Sequence, residues 1–273
     1  MTDRYAVIGN PVAHSKSPEI HAMFARETGQ DISYERILAP LDRFSETVKA
    51  FRDSGGRGAN VTVPFKLEAF RYAKTHSTRA TASGAVNTMR FDADGAHGDN
   101  TDGIGLVRDI ERNIGLKVTG RQVLLLGAGG AARGVVGELL NAGAARLIVA
   151  NRTHARAVDI AAMMAHAGVI GALPLEALHA HRFDIVINAT SASLGDELPD
   201  VPSTCFAGGS LAYDMVYGRI TPFLAFAARA GARTADGLGM LVEQAAEAYY
   251  LWRGARPSTA PVIAQLRKPA PNK

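Results

Sequence analysis

Four short polar segments hold the side chains that could bind a small polar molecule and move a proton. The segments are Ser15–Pro18, Asn60–Lys66, Ala85–Thr88 and Gly98–Gly103. Polar clusters of this kind are expected where strands end, and strand ends are where α/β sheets bind ligands. A lysine that faces a small ligand can donate or remove a proton, and a neighbouring carboxylate can supply its counter-charge. Lys66 and Asp102 are side chains of these two types.

Each of these side chains also has a purely structural interpretation. Ser17 is expected to cap a helix that has Pro18 at its first position, and Asp102 could cap another. Asn87 could fill a turn, and Lys66 could be a solvated surface amine. For one residue alone the two interpretations are equally good. One binding site explains all four residues together, beside a nucleotide loop, better than four unrelated structural roles do.

A glycine-rich loop follows the apolar run Val123–Leu126 and precedes an alanine-rich helix. Its residues are Gly127, Ala128, Gly129, Gly130 and Ala131. In such a loop the first glycine permits a tight turn, and the second lets the backbone approach a pyrophosphate. The helix N-terminus then offers unpaired N–H groups to the phosphates. Glycine-rich turns often serve only to turn the chain, but the strand–loop–helix order favours a dinucleotide.

The end of the next strand indicates which dinucleotide binds. Sites for NAD usually carry an acid there, which holds the ribose 2′-hydroxyl. This chain has Asn151-Arg152-Thr153, with Arg156 one turn later and no acid among them. Two guanidinium groups match a 2′-phosphate in charge and in forked geometry. The alternative, two solvated arginines at a helix start, is mildly unfavourable against the helix dipole, so NADP is the predicted cofactor.

Short β-rich runs alternate with helical stretches along the chain, which predicts an α/β fold with a mainly parallel sheet. The predicted strands are 5–9, 34–38, 59–63, 123–126, 147–150, 183–187 and 211–215. Helices are predicted from Ser17, over 44–52 and 67–73, after the glycine loop through Leu140, from about Ala155, and over 241–253. From residue 123 onward this order is typical of a doubly wound nucleotide-binding sheet.

Composition narrows the class of protein. The 273 residues are 47% hydrophobic and 21% charged, which suits one large domain or two modest ones. With Cys205 as its only cysteine the chain can form no internal disulfide, which fits a reducing cytosol. The opening residues lack the apolar stretch of a signal peptide, and no run approaches the roughly 20 apolar residues that cross a bilayer. A soluble, cytoplasmic protein without a membrane partner is expected.

The net charge of +4 permits an anionic partner. Because the basic residues are scattered, a nucleic acid is not expected, and a small anionic substrate or a phosphorylated cofactor explains the excess. A metal is not expected either, because the histidines include no His-x-x-x-His pair. His179 and His181 lack further ligands at metal spacing.

Taken together, the motifs resemble the shikimate dehydrogenase family. In order they are Gly9–Pro18, Asn60–Lys66, Ala85–Thr88, Gly98–Gly103, Gly127–Ala131, Asn188–Ser191 and Asp236–Gln244. The similarity runs from Tyr5 to about Leu266, and the ordered set is far more specific than the glycine loop alone. It implies an α/β substrate domain of residues 1–102 and 238–273, completed by the C-terminal helices. A Rossmann-type doubly wound NADP domain, residues 103–237, would be inserted in it, with the active cleft between the two.

The resemblance also implies roles for individual residues. Lys66 and Asp102 would be the catalytic pair, with Lys66 as the proton donor. Substrate hydroxyls and carboxylate would be held by Ser15, Ser17, Thr62, Lys66, Asn87, Asp102, Tyr217 and Gln244. The cofactor would be lined by Gly127, Ala128, Gly129, Gly130, Ala131, Asn151, Arg152, Thr153, Arg156, Thr190, Ser191, Met215, Gly237 and Met240. Thr78 stands where family members often carry an acid near the cofactor, and it is left out of the site.

The implied reaction is the reversible, NADPH-linked reduction of 3-dehydroshikimate to shikimate, on the route to chorismate and the aromatic amino acids. The substrate would be this small molecule, and the protein a monomer or homodimer. Two alternatives stay open. One is a quinate/shikimate dehydrogenase of the same family, although members that prefer NAD tend to carry an acid where this chain has Arg152. The other is a non-catalytic NADP-binding regulator, which the presence of both Lys66 and Asp102 disfavours.

Overall fold

The computed structural model describes residues 2–190, 192 and 195–268. The chain forms two compact units, one of Met1–Gly105 with Leu241–Lys273 and the other of Leu106–Met240. Each unit contains one six-stranded sheet. The predicted α/β class is confirmed.

The strands are numbered in chain order. They are β1 (Asp3–Gly9), β2 (Ile32–Leu38), β3 (Gly56–Val61), β4 (Thr75–His76), β5 (Thr88–Asp92), β6 (Gly95–Asp99), β7 (Gln122–Leu126), β8 (Arg146–Ala150), β9 (Ile170–Leu173), β10 (Phe183–Asn188), β11 (Phe206–Asp214) and β12 (Arg233–Asp236). Against the predicted bounds, β3 ends two residues earlier and β11 ends before Met215.

The helices are numbered in the same way. They are α1 (Ser17–Thr28), α2 (Phe44–Asp53), α3 (Lys66–Tyr72), α4 (Thr78–Ser83), α5 (Asp102–Arg108), α6 (Gly130–Asn141), α7 (His154–Met164), α8 (Pro222–Arg229), α9 (Leu238–Arg253) and α10 (Ala260–Leu266). A π-helical turn, Asp109–Asn113, follows α5 directly. No helix among the described residues is both long enough and apolar enough to cross a membrane.

The sheet of the first unit has the order β2-β1-β3-β5-β6-β4. Its β2-β1-β3 part is parallel, as predicted, whereas β5 runs antiparallel to both β3 and β6. The strands are thus mainly parallel, as expected, and the antiparallel strand β5 is the exception. Phe44, Val48 and Phe51 of α2 lie in a core with β1 and β3. A second core joins α1 to α9 and α10.

The sheet of the second unit has the order β12-β11-β10-β7-β8-β9, and all of its strands are parallel. Taken from β9 to β12, this is the 3-2-1-4-5-6 order of the Rossmann fold, so that prediction is confirmed. Residues 123–126 of β7 are buried, as is usual for a strand that helices cover on both faces.

A buried ion pair ties β6 to α4 in the first unit. The Asp99 carboxylate, which is 3% exposed, accepts from the Arg79 guanidinium at 2.6 Å. Ser77 Oγ and the Asn100 N–H also donate to it. Burial by itself raises the pKa of Asp99, but the hydrogen bonds and charge of Arg79, with those two donors, lower it below the ordinary 3.8. The pair therefore stabilises the fold only while Asp99 is ionised.

We expect Asp99→Asn to reduce the free energy of unfolding at pH 7 by about 1.5–3 kcal/mol, since a charged hydrogen-bond acceptor is lost. Because the folded pKa of Asp99 lies below the unfolded value of 3.8, its stabilisation is complete above that pH and is lost as the pH falls below it. Urea unfolding at pH 7, 5 and 3 measures this. Asp94→Asn, in an exposed turn, is the control. A difference between wild type and Asp99→Asn that does not shrink at low pH would contradict the assignment.

Candidate active site

Lys66 and Asp102 form an ion pair in the first unit. Lys66 is the first residue of α3 and Asp102 the first of α5. Lys66 Nζ donates to Asp102 Oδ2 at 2.5 Å. Their side chains are only 13% and 6% exposed. A lysine whose charge is paired and partly removed from water, yet not fully enclosed, is suited to exchanging a proton with a small ligand.

The second oxygen of the Asp102 carboxylate is held by Asn87. Asn87 Nδ2 donates to Asp102 Oδ1 at 2.8 Å and lies 3.3 Å from Gln244 Oε1. The Asp102 N–H donates to Asn100 Oδ1 at 3.1 Å. Direct contacts thus join the predicted residues Lys66, Asp102, Asn87 and Gln244 into one cluster.

The two serines of the first motif form a separate pair. Ser15 Oγ lies 3.1 Å from Ser17 Oγ and also accepts from the Ser17 N–H at 3.3 Å. The prediction that Ser17 caps the helix is wrong, because α1 already includes Ser17 and its cap position is Lys16, whose side chain makes no capping bond. The Arg36 guanidinium donates to the Ser15 carbonyl at 2.6 and 2.8 Å and so holds the loop.

Thr62 follows β3 directly and lies against the end of β1. Its N–H donates to the Ile8 carbonyl at 2.9 Å. A Cβ at Gly9 would lie 2.3 Å from Thr62 Cγ2, so only glycine fits there. Tyr217, the last of the predicted substrate residues, is half-buried and belongs to the second unit, after β11. Its predicted part in the substrate site stays a prediction.

The glycine loop lies at the carboxyl end of β7, where the strand order of the second sheet reverses. Gly127 has φ +110°, and a Cβ on it would lie 3.0 Å from the Ala189 backbone. A Cβ on Gly129 would meet nothing within 4 Å, and α6 begins at the next residue. Gly127 is therefore required by the fold, whereas the space over Gly129 is open to a ligand. This arrangement fits a pyrophosphate.

Asn188, at the end of β10, orients the neighbouring predicted residue Thr190. Asn188 Oδ1 accepts from Thr190 Oγ1 at 2.7 Å and from the Thr190 N–H at 3.1 Å. Met215 follows β11, and its carbonyl approaches so closely that a Cβ on Gly237 would lie 2.3 Å away. Met240 is buried near the start of α9. Ser191 lies outside the described residues.

The residues after β8 are arranged as an anion site requires. Arg152 and Arg156 are exposed, and no acceptor within the described part of the chain pairs with either guanidinium. Asn151 Nδ2 donates to the Thr153 carbonyl at 2.9 Å and so holds the turn into α7. Two unpaired guanidinium groups at the carboxyl end of a Rossmann strand are placed to meet a 2′-phosphate.

Several polar residues that sequence reasoning did not single out belong to the Asn87 cluster. Thr88, Thr101 and Asn60 are buried and bond to one another or to Asn87. All three lie within the polar segments described above, so their closeness in sequence to the predicted site residues could have identified them. Tyr34 also contacts this group, through Asn60 at 2.7 Å. Tyr34 lies in β2, outside these segments, so the local sequence provided no reason to include it.

His21 lies on α1, about one turn after Ser17. Its ring is fully buried and stacks on Tyr34 with centroids 4.2 Å apart. Burial lowers the pKa of His21 to about 3, so the ring is neutral at physiological pH. Among the described residues, no group of three or more His, Cys, Asp or Glu side chains is placed to hold a metal ion.

Three family models match consecutive parts of the chain. They are "Shikimate dehydrogenase substrate binding domain" over residues 7–89, "Shikimate / quinate 5-dehydrogenase" over 109–195 and "Shikimate 5'-dehydrogenase C-terminal domain" over 237–267. A protein of Nitrosospira multiformis, "Shikimate dehydrogenase (NADP(+))", is 60% identical over 98% of both chains. The chain belongs to the shikimate dehydrogenase family. The family predicted from the motifs is thereby confirmed.

Solved structures of related proteins agree in fold. An Ael1 enzyme from Pseudomonas putida is 49% identical with a TM-score of 0.90, over 98% of this chain and 99% of that one. A shikimate 5-dehydrogenase from Thermus thermophilus, in complex with NADP(H) and shikimate, is 34% identical with a TM-score of 0.86. That match covers 97% of this chain and 99% of the other. The similarity to this shikimate dehydrogenase therefore includes both units.

We expect Gly127→Ala to reduce both stability and NADP affinity, because its φ of +110° and the contact with Ala189 are incompatible with a Cβ. Gly115→Ala is the matched control, since Gly115 has φ +77° but open space around it. Both variants should lower the melting temperature. Only Gly127→Ala should weaken NADP binding in calorimetric titration. Equal NADP affinities in the two variants would mean that the loop does not hold the cofactor.

Proposed function

We propose that the chain catalyses the reversible reduction of 3-dehydroshikimate to shikimate with NADPH. The observation that carries the proposal is the largely buried Lys66–Asp102 pair, beside amide and hydroxyl groups that suit a polyhydroxylated substrate. The names of the relatives and the Thermus structure in complex with NADP(H) and shikimate support the same activity.

Lys66 is the proton donor in this mechanism. When a ketone is reduced, its carbon gains a hydride and its oxygen must gain a proton. The Lys66 ammonium donates that proton and becomes a neutral amine, and in the reverse direction the amine removes it from the hydroxyl. Asp102 holds Lys66 Nζ at 2.5 Å and so directs the amine. When bound, the nicotinamide supplies the hydride.

Neutral hydrogen-bonding groups recognise the rest of the substrate. Ser15, Ser17, Thr62, Asn87, Tyr217 and Gln244 bind its hydroxyls and carboxylate. Asn87 and Gln244 already contact each other at 3.3 Å, and the two serine hydroxyls lie 3.1 Å apart. Such groups reject analogues that lack a hydroxyl, because the protein partners would be left unpaired.

The second unit holds the cofactor in this proposal. Gly127–Ala131 and the start of α6 bind the pyrophosphate, and Asn151–Arg156 bind the 2′-phosphate and ribose. Thr190, Ser191, Met215, Gly237 and Met240 line the remainder. Residues 1–102 with 238–273 and residues 103–237 are accordingly the substrate and cofactor domains. The enzyme acts in the cytoplasm as a monomer or homodimer.

A single assay tests the activity. NADPH oxidation is monitored with 3-dehydroshikimate and then with 3-dehydroquinate, and the first assay is repeated with NADH. Turnover of 3-dehydroshikimate with NADPH is expected to dominate. Equal use of 3-dehydroquinate would favour a quinate/shikimate dehydrogenase. NADP binding without any turnover would favour a regulator.

Lys66→Ala should lower kcat by about 10²–10⁴-fold, since a general acid is lost, while shikimate binding changes little. Initial rates and shikimate titration measure the two effects. Lys49→Ala is the control, because Lys49 lies in the same unit and its ion pair with Asp53 is exposed. Near-normal turnover by folded Lys66→Ala would remove Lys66 from the mechanism.

Replacing Arg152 and Arg156 together by Ala should raise KM for NADP more than about tenfold, because charge-assisted hydrogen bonds are lost. KM for NAD, which has a neutral hydroxyl at that position, should change little. Lysines at both positions should rescue only partly, since a point charge lacks the planar fork. Arg146→Ala, at the other end of β8, is the control. A wild type that used NAD and NADP equally well would contradict the assignment.

A further inference from the structure

The orientation of the Asn87 amide is set by two groups that can each play only one hydrogen-bonding role. The Thr101 backbone N–H, which can only donate, lies 2.8 Å from Asn87 Oδ1. The Asp102 carboxylate, which can only accept when ionised, lies 2.8 Å from Asn87 Nδ2. The Asn87 oxygen therefore faces Thr101, and its NH2 group faces Asp102.

This orientation determines the direction of the next hydrogen bond. Thr88 Oγ1 lies 2.9 Å from Asn87 Oδ1, so the Thr88 hydroxyl must donate to it. The same hydroxyl is then left to accept, and its neighbours are Asn60 Nδ2 at 3.0 Å and the more distant Thr101 Oγ1 at 3.3 Å. Asn60 Nδ2 also lies 3.3 Å from the Asn87 carbonyl, which only accepts. Both contacts require the same Asn60 orientation.

Tyr34 completes the series. With its NH2 group committed, Asn60 presents Oδ1 to the Tyr34 hydroxyl at 2.7 Å, and the hydroxyl must donate. Burial raises the pKa of Tyr34 well above its ordinary value, against an opposing hydrogen-bonding contact with Ser17, so this donor persists at working pH. We call the series Tyr34, Asn60, Thr88, Asn87 and Asp102 the Tyr34–Asp102 chain. Its interior residues are at most 5% exposed, which leaves water little access as a substitute partner.

We propose that Thr88 is a positioning residue of the active site. Its hydroxyl adds a further hydrogen bond that reinforces this orientation of the Asn87 amide, with the NH2 group toward Asp102. Asn60 and Tyr34 hold that hydroxyl in its donating direction. The kinetic part of this inference rests on the proposed function, because Asn87 and Asp102 act there on the substrate. The Ser15–Ser17 pair lies next to the Tyr34 end of the Tyr34–Asp102 chain, because Ser17 contacts Tyr34.

Removing the Thr88 hydroxyl should affect catalysis more than folding. Asn87 Oδ1 keeps its Thr101 donor, but Asn60 loses an acceptor and the Asn87 amide loses a constraint. Thr88→Val, which preserves shape, should lower kcat/KM for shikimate about tenfold, the effect of one hydrogen bond at the upper end of its usual range. KM for NADP should stay unchanged, and the pH–rate profile should shift because the Asp102 environment changes. Thr88→Ser should restore most of the activity.

Another threonine–tyrosine pair of the protein, outside the Tyr34–Asp102 chain, is a closely matched control for these variants. Thr28 Oγ1 and the Tyr249 hydroxyl form another Thr–Tyr hydrogen bond in the same unit, at 2.6 Å. Thr28→Val and Tyr249→Phe should lower the melting temperature without altering the kinetic pattern. Tyr34→Phe should reproduce the Thr88→Val pattern more weakly, which keeps the proposal testable if Thr88→Val does not fold. Kinetics of Thr88→Val and Tyr34→Phe that match their controls would overturn the proposal.

A spectroscopic readout separates this inference from the proposed function. The side-chain amide protons of Asn87, assigned through Asn87→Asp, should be resolved and slow to exchange with solvent in the NMR spectrum of the wild type. Thr88→Val should shift them and speed their exchange, whereas Thr28→Val should not. If the wild type did not reduce 3-dehydroshikimate, the proposed function would fail. The NMR spectra would still test whether Thr88 orients the Asn87 amide. Unchanged Asn87 signals in Thr88→Val would refute that role.

Discussion

The ion pair between Lys66 and Asp102 imposes the main constraint on the first unit. Both side chains are largely withdrawn from water, and the desolvation of two charges is repaid only if geometry is good and the remaining hydrogen-bonding capacity is satisfied. Asp102 meets this condition, since each carboxylate oxygen has a donor. The donor to the second oxygen is the Asn87 amide, so the placement of Asn87 affects the stability of the ion pair.

Antiparallel pairing supplies that placement. The β5–β6 hairpin sets Thr88 opposite Asp99, so Asn87 and the segment Asn100–Asp102 leave the sheet side by side. The Asn87 N–H then donates to the Asp99 carbonyl, and the Thr101 N–H donates to the Asn87 side chain. A shift of one residue in this register would turn Thr88 to the other face and break the whole series. The Arg79–Asp99 ion pair anchors β6 at the same point.

The sequence predicted the motifs and the parallel part of the fold, but not the antiparallel β5–β6 hairpin. Lys66, Asp102 and the glycine loop could be singled out because the roles predicted for them need particular residue types. The strand β6, Gly95–Asp99, was missed because it has no β-branched or large apolar residue, and it is a strand only through its partner. Ser17 was misassigned as a helix cap because α1 begins at Ser17 itself, one residue earlier than the sequence pattern predicts. The role of Tyr34 follows from its partner Asn60, 26 positions away, which no local pattern shows.

The two units orient a buried asparagine amide in the same physical way. In the second unit, Asn188 stands between the buried carboxylate of Asp214 and Thr190, much as Asn87 stands between Asp102 and Thr88. Asn188 Nδ2 donates to Asp214 Oδ2 at 3.2 Å, and its oxygen thereby faces Thr190. An asparagine bound on one side to a group that only accepts cannot rotate its amide without breaking a buried hydrogen bond. A buried carboxylate thus fixes the orientation of an asparagine amide and, through it, the direction of the hydrogen bond from the next hydroxyl.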